Sequence, residues 1–214
     1  MTTRRSRRTD RLEQRRLTIR RVRALLVGGL VLGVGATATL ASWTDPEYAS
    51  TQITAGTFSI ESRTSTGDGF AEHNSSGTAA TLPLNLTGIY PGSSAAAWIQ
   101  IRTAPGSVKG TVNLIDAVAP ASAANSIALR DALTVRVVAT SATTTAAPDC
   151  TTSMGGGTAV TGIDNVPALS PSALAANGAD VVNYCFIVTL PADTPNAAQG
   201  GSVTPVWEFS GTTG

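Results

Sequence analysis

Trp98-Ile99-Gln100-Ile101-Arg102 is the stretch on which the fold turns. Side chains of an extended chain point alternately to two faces. Ile99 and Ile101 therefore share one face and Trp98, Gln100 and Arg102 the other, the mark of a half-buried strand. Phe186, Val188 and Leu190 alternate in the same way. Working outward, alternating runs predict strands over residues 57–63, 81–87, 97–103, 108–118, 133–140, 180–190 and 203–210. Tyr90-Pro91-Gly92-Ser93 reads as a turn, with proline pre-setting φ and glycine free to take a positive φ. Short helices are predicted over 122–132 and 170–176, each with a serine, Ser122 or Ser170, at its N-cap. Long Glu, Lys or Leu-rich helical stretches are absent from this part, which is rich in Thr, Ser, Ala, Gly and Val with turn signals every dozen or so residues. An all-β sandwich or barrel follows.

Charge divides the chain in two. Residues 1–23 carry ten arginines against Asp10 and Glu13, a balance of 10 minus 2, or +8. From Ser42 onward five basic residues oppose twelve carboxylates, giving −7. A basic arm of this kind is compatible with nucleic-acid binding, but its position points elsewhere. Arg23 is followed by ALLVGGLVLGVGATATLAS, uncharged and thinning into small residues at Ala36, Ala38, Ala41 and Ser42. Basic head, apolar middle and small-residue exit are the parts of a secretory signal peptide.

The arginines stay on the cytoplasmic side while the apolar segment partitions into the bilayer, so the rest of the chain faces outward. Ala36-Thr37-Ala38 and Leu40-Ala41-Ser42 are the two cleavage candidates. The alternative is an uncleaved anchor, since about 18 apolar residues can just span a membrane. The twin arginines at 7–8, 15–16 and 20–21 lack the hydrophobic continuation of a folded-protein export signal. The expected division is residues 1–23 as a basic cytoplasmic head, 24–42 as a helical apolar signal segment, 43–54 as an exposed arm and 55–214 as one β domain. About 170 residues suffice for a single core that buries roughly 70 % of the unfolded surface.

Cys150 and Cys185 are the only cysteines, and both fall in the exported part. An even count outside the cell favours a disulfide, with two free buried thiols as the alternative. Catalysis finds little support. His73 is the only histidine, so no His-Glu-x-x-His pair can place two imidazoles on one helical face, and a catalytic zinc takes three protein ligands. No Gly-x-Ser-x-Gly elbow occurs. Asp45, Asp68, Asp164 and Asp180 match no calcium-loop spacing. No catalytic residue, metal or cofactor is expected, and no nucleic-acid partner.

Three ordered segments carry a resemblance. Ala41-Ser42-Trp43-Thr44-Asp45, a spacer, then Ala55-Gly56-Thr57-Phe58-Ser59-Ile60 resembles the start of the TasA/camelysin family of exported proteins. Leu84-Asn85-Leu86-Thr87-Gly88-Ile89-Tyr90-Pro91-Gly92-Ser93, with the strand at Trp98 and the turn Ala104-Pro105-Gly106-Ser107, resembles its middle block. Gln199-Gly200-Gly201-Ser202-Val203-Thr204-Pro205-Val206-Trp207-Glu208-Phe209 resembles its last strand. Together they cover about a third of the chain. The long arginine-rich head and the two cysteines depart from the family's pattern.

The resemblance implies a jelly-roll-like antiparallel β-sandwich behind a signal peptide cut by a SipW-type signal peptidase, with Ala38, Ala41 and Ser42 in the cleavage region. It also implies a secreted, non-catalytic subunit of biofilm-matrix or surface fibres, self-associating by addition of the freed arm to the next subunit's sheet edge. Trp43, Tyr48 and Ile53 are then the candidate arm anchors. The membrane would be met only through an uncleaved signal segment. The alternatives are a monomeric cell-surface binding or adhesion domain and, more distantly, a camelysin-like secreted metallopeptidase.

Overall fold

The structure, a computed structural model, describes residues 6–38, 45–67 and 69–213. It divides into two compact units, Met1–Ile53 and Thr54–Gly214.

In the first unit, α1 (Ser6–Ala38) runs through the arginine-rich head and into the apolar segment. Among the described residues no helix is long and apolar enough to cross a membrane. Residues 45–53 are exposed and belong to no helix or strand.

The second unit is an antiparallel β-sandwich. Its elements are β1 (Ile60–Thr64), β2 (Ser94–Thr103), β3 (Gly110–Val118), α2 (Ala124–Ala132), β4 (Thr134–Ala142), β5 (Thr158–Thr161), β6 (Ser172–Leu174), β7 (Val181–Thr189) and β8 (Val206–Thr212). One sheet has the order β1-β2-β7-β4-β5 and the other β6-β3-β8. The chain alternates between them as it passes from β2 to β3 to β4, so each hairpin-length segment adds to a different layer and the core closes between the two.

The alternation of β2 is realised. Ile99 and Ile101 enter the core, while Trp98, Gln100 and Arg102 lie on the other face of the sheet. Gln100 is nevertheless 0 % exposed, and every polar atom of its amide is used. Nε2 donates to Asn183 Oδ1 at 2.8 Å and to the Ala146 carbonyl at 2.8 Å, while Oε1 accepts from Arg63 Nε at 2.7 Å. A buried amide with full pairing escapes the desolvation penalty of an orphaned one. Beside it, Arg102 faces its strand partner Glu61 at 2.6 Å and lies 4.0 Å over the Phe70 ring.

β7 is buried on both faces because it is central in its sheet and each face is covered. Val182, Tyr184, Phe186 and Val188 join the main core. On the outer face Cys185 and Ile187 pack with Val138, Cys150 and Met154. Cys150 and Cys185 form a disulfide with a Cα–Cα distance of 5.5 Å. Arg136 holds the same covering loop through the carbonyls of Met154 at 2.6 Å and Gly156 at 2.7 Å.

Three expectations are corrected. Residues 170–176 are not a helix: Ser172–Leu174 is β6, paired with Gly110 to Val112 of β3, and a 3-10 turn follows at Ala176–Gly178. Ladder pairing and the burial of Leu174 to 2 % exposure outweigh the local N-cap signal. Helix α2 forms, but it begins at Ala124 with Ala123 in the cap position and no side-chain cap bond, so Ser122 does not cap it. Residues 81–87 form no strand of either sheet; their main chain turns on itself, Leu84 N donating to Leu82 O at 2.8 Å and Leu86 N to Leu84 O at 2.9 Å. β5 is a strand that periodicity left unread.

Candidate functional site: an open cleft beside strand β8

Among the described residues β8 has a ladder partner in β3 and none on its other side, so it is an edge strand. Edge strands expose unpaired N–H and C=O groups. Inward-facing Trp207 and Phe209 alternate along it, their rings 4.8 Å from those of Phe186 and Tyr184 respectively. Beyond this edge the sandwich stays open as a cleft of about 1990 Å³. Its floor includes Ile99, Ile101 and Phe186 from the larger sheet. Small-molecule sites usually enclose roughly 300–1,000 Å³, so the cleft is on the scale of a chain segment rather than a metabolite.

Segment 81–87 also lines the cleft, through the half-buried Leu82, Leu84 and Leu86. One end of the cleft is closed by Phe58 and Ile60. They fit because β3 and β8 carry glycine there: a Cβ on Gly110 would stand 2.5 Å from Phe58 Cε2, and one on Gly211 would stand 2.9 Å from Ile60 Cγ2. Trp207 contributes the site's one notable polar feature. Its Nε1 is buried without a hydrogen-bond partner.

The residues expected to matter fall in several places. Tyr48 and Ile53 are 90 % and 91 % exposed, two large apolar groups held in water on the arm. Ala38 ends α1; Ala41, Ser42 and Trp43 lie outside the described residues, as does Asp68. Cys150 and Cys185 are paired on the outer face of the larger sheet, a state compatible with an extracellular protein. His73 Nδ1 is 3.0 Å from Ser62 Oγ on β1, beside a strand-like bridge between Ser62 and Ala71. Asp164 pairs with Arg130 at 3.3 Å, and Asp180 accepts from the Ala175 amide at 2.7 Å. Among the described residues no three His, Cys, Asp or Glu side chains converge as metal ligands.

Sequence reasoning placed Trp207 and Phe209 on a strand and Leu82, Leu84 and Leu86 in a period-two run. It did not see that the two segments line one cleft. Nor does sequence alternation tell a paired strand from an unpaired one. No family model matches the chain, and no curated protein matches it.

Proposed function

We propose that the chain is a secreted, non-catalytic structural subunit of a surface or matrix fibre, assembled by strand addition: the arm of one copy enters the cleft of the next. The observation that carries this reading is the cleft itself, bordered by the unpaired edge of β8 and floored by core residues. An added strand gains main-chain hydrogen bonds along the edge and buries alternate side chains between the sheets. The exposed arm with Tyr48 and Ile53 supports it, as do the resemblance to the TasA/camelysin family and the signal-like head, which a SipW-type peptidase would remove to free the arm. The disulfide agrees with export.

Electron microscopy of the chain beginning at Ser42 beside the chain beginning at Ala55 tests this directly. Filaments from the longer form alone are the expected result. If neither form polymerises, a monomeric surface domain that binds a foreign segment in the same cleft becomes the better description.

A further inference from the structure

We infer that the connection between β4 and β5 is a modification site, whose threonine and serine hydroxyls between Thr143 and Ser153 accept sugars from an activated glycosyl phosphate. This rests on the export contained in the reading above and not on assembly.

The connection is unusual in length and course. β4 and β5 are ladder neighbours, with Val137 opposite Thr158, and a hairpin between such strands typically takes about 2–5 residues. Here β4 ends at Ala142 and β5 begins at Thr158, so residues 143–157 intervene with neither helix nor strand. Connections this long in a compact domain usually serve a function.

The segment crosses the outer face of the larger sheet strand by strand. The Thr145 carbonyl accepts from Arg63 of β1, and the Ala146 carbonyl accepts from Gln100 of β2 at 2.8 Å. Cys150 is bonded to Cys185 of β7. The carbonyls of Met154 and Gly156 then accept from Arg136 of β4. It is a strap laid out to β1 and back to β4, fixed through its main chain and one disulfide.

That anchoring leaves the hydroxyls unused. Six of the eleven residues 143–153 are threonine or serine, and all six are exposed. Thr151 and Ser153 bond to one another at 3.2 Å. The hydroxyls of Thr143, Thr144, Thr145 and Thr152 have no hydrogen-bond partner among the described residues. Side chains that neither pack nor pair add little to the hold on the strap, so stability does not account for their number. Asp149 is the one charge in residues 143–157, which offers little to an ionic partner. A threonine- and serine-rich run with a proline, here Pro148, has the composition of O-glycosylated stretches.

In the transfer the threonine Oγ forms a bond to C1 of the sugar while the C1–O bond to the donor's phosphate breaks. The hydroxyl proton departs, the phosphate leaves with the electron pair, and nothing is oxidised or reduced. A separate glycosyltransferase catalyses the step. Sugars are bulky and solubilising, and here they coat the outer face of the larger sheet. No residue of 143–157 lines the cleft beside β8, so the coat leaves that edge open.

Mass spectrometry of the intact chain and its peptides, taken from the cells that produce it with medium and cell fractions measured separately, tests this. The expected result is a secreted chain heavier than its sequence by whole sugar units that map to residues 143–153. Secreted chain without sugar, or with sugar confined elsewhere, as at Asn74 of the triplet Asn74-Ser75-Ser76, overturns the inference and leaves export and strand addition standing. Chain retained in the cells without sugar overturns it together with export. A Thr143→Ala, Thr144→Ala, Thr145→Ala variant keeps the carbonyls and the disulfide that hold the strap. Its sugar load should fall in proportion to the hydroxyls removed, and an unchanged load also overturns the inference.

Discussion

Tyr184 lies at the centre of β7, fully buried, with its hydroxyl donating to the Val112 carbonyl at 3.2 Å across the sandwich. Burial pushes its phenol above the ordinary value of 10.0, because the phenolate would lose its hydration. The sign follows from linkage: the unfolded chain gives up this proton first, so the stabilisation is fully present below pH about 10 and is lost as pH rises through the folded-state value. Urea titrations should show stability falling from about pH 10 upward. Tyr184→Phe should remove that part of the decline and cost about 1 kcal/mol at neutral pH through the lost hydrogen bond. The disulfide is a second residue-scale test. It closes a sequence separation of 35 residues, and in the chain-entropy model such a closure stabilises by about 3 to 4 kcal/mol. A Cys150→Ser, Cys185→Ser double variant should lose stability on that scale in chemical denaturation; an unchanged midpoint would mean that Arg136 and its carbonyl contacts already fix the loop.

At the scale of elements, β3 and β8 depend on glycine where the Phe58 ring crosses them. A Cβ at Gly110 would meet that ring at 2.5 Å and also press on the Thr212 carbonyl oxygen. The backbone oxygen belongs to the paired strand and cannot turn away. Gly110→Ala should therefore destabilise by about 1–3 kcal/mol, the usual range for overpacking, read as a lowered melting temperature. The elements also show where local sequence stops being sufficient. WIQIR is legible as β2 because every residue alternates in one register with nothing to contradict it. Ser170-Pro171-Ser172-Ala173-Leu174 carries a helix-start signal and becomes β6 because the edge of β3 is there to pair with. Four residues at Thr158–Thr161 pair with β4 in the same way, too short a run to announce themselves.

On the scale of the whole molecule, the predictions concern association. Ile53 is 91 % exposed on the arm, so Ile53→Asp should leave the melting temperature of the subunit unchanged. Removing an isoleucine's burial forfeits roughly 1.5–3 kcal/mol, and a buried charge adds further cost, so filament growth should fall by more than about tenfold. Light scattering against concentration reads this; undiminished growth would remove the arm from the interface.

By itself the sequence determined the period-two strands, the separation of a basic head from an acidic domain, and the two cysteines, paired in the fold. Each is written in neighbouring residues or in a bare count. Only the tertiary structure decided that β8 ends its sheet, that residues 81–87 join no ladder, and that both border one cleft. A strand's alternation reports which side of it is buried, whereas the pairing of its edges depends on chain segments a hundred residues apart and on loop closures that no local pattern encodes.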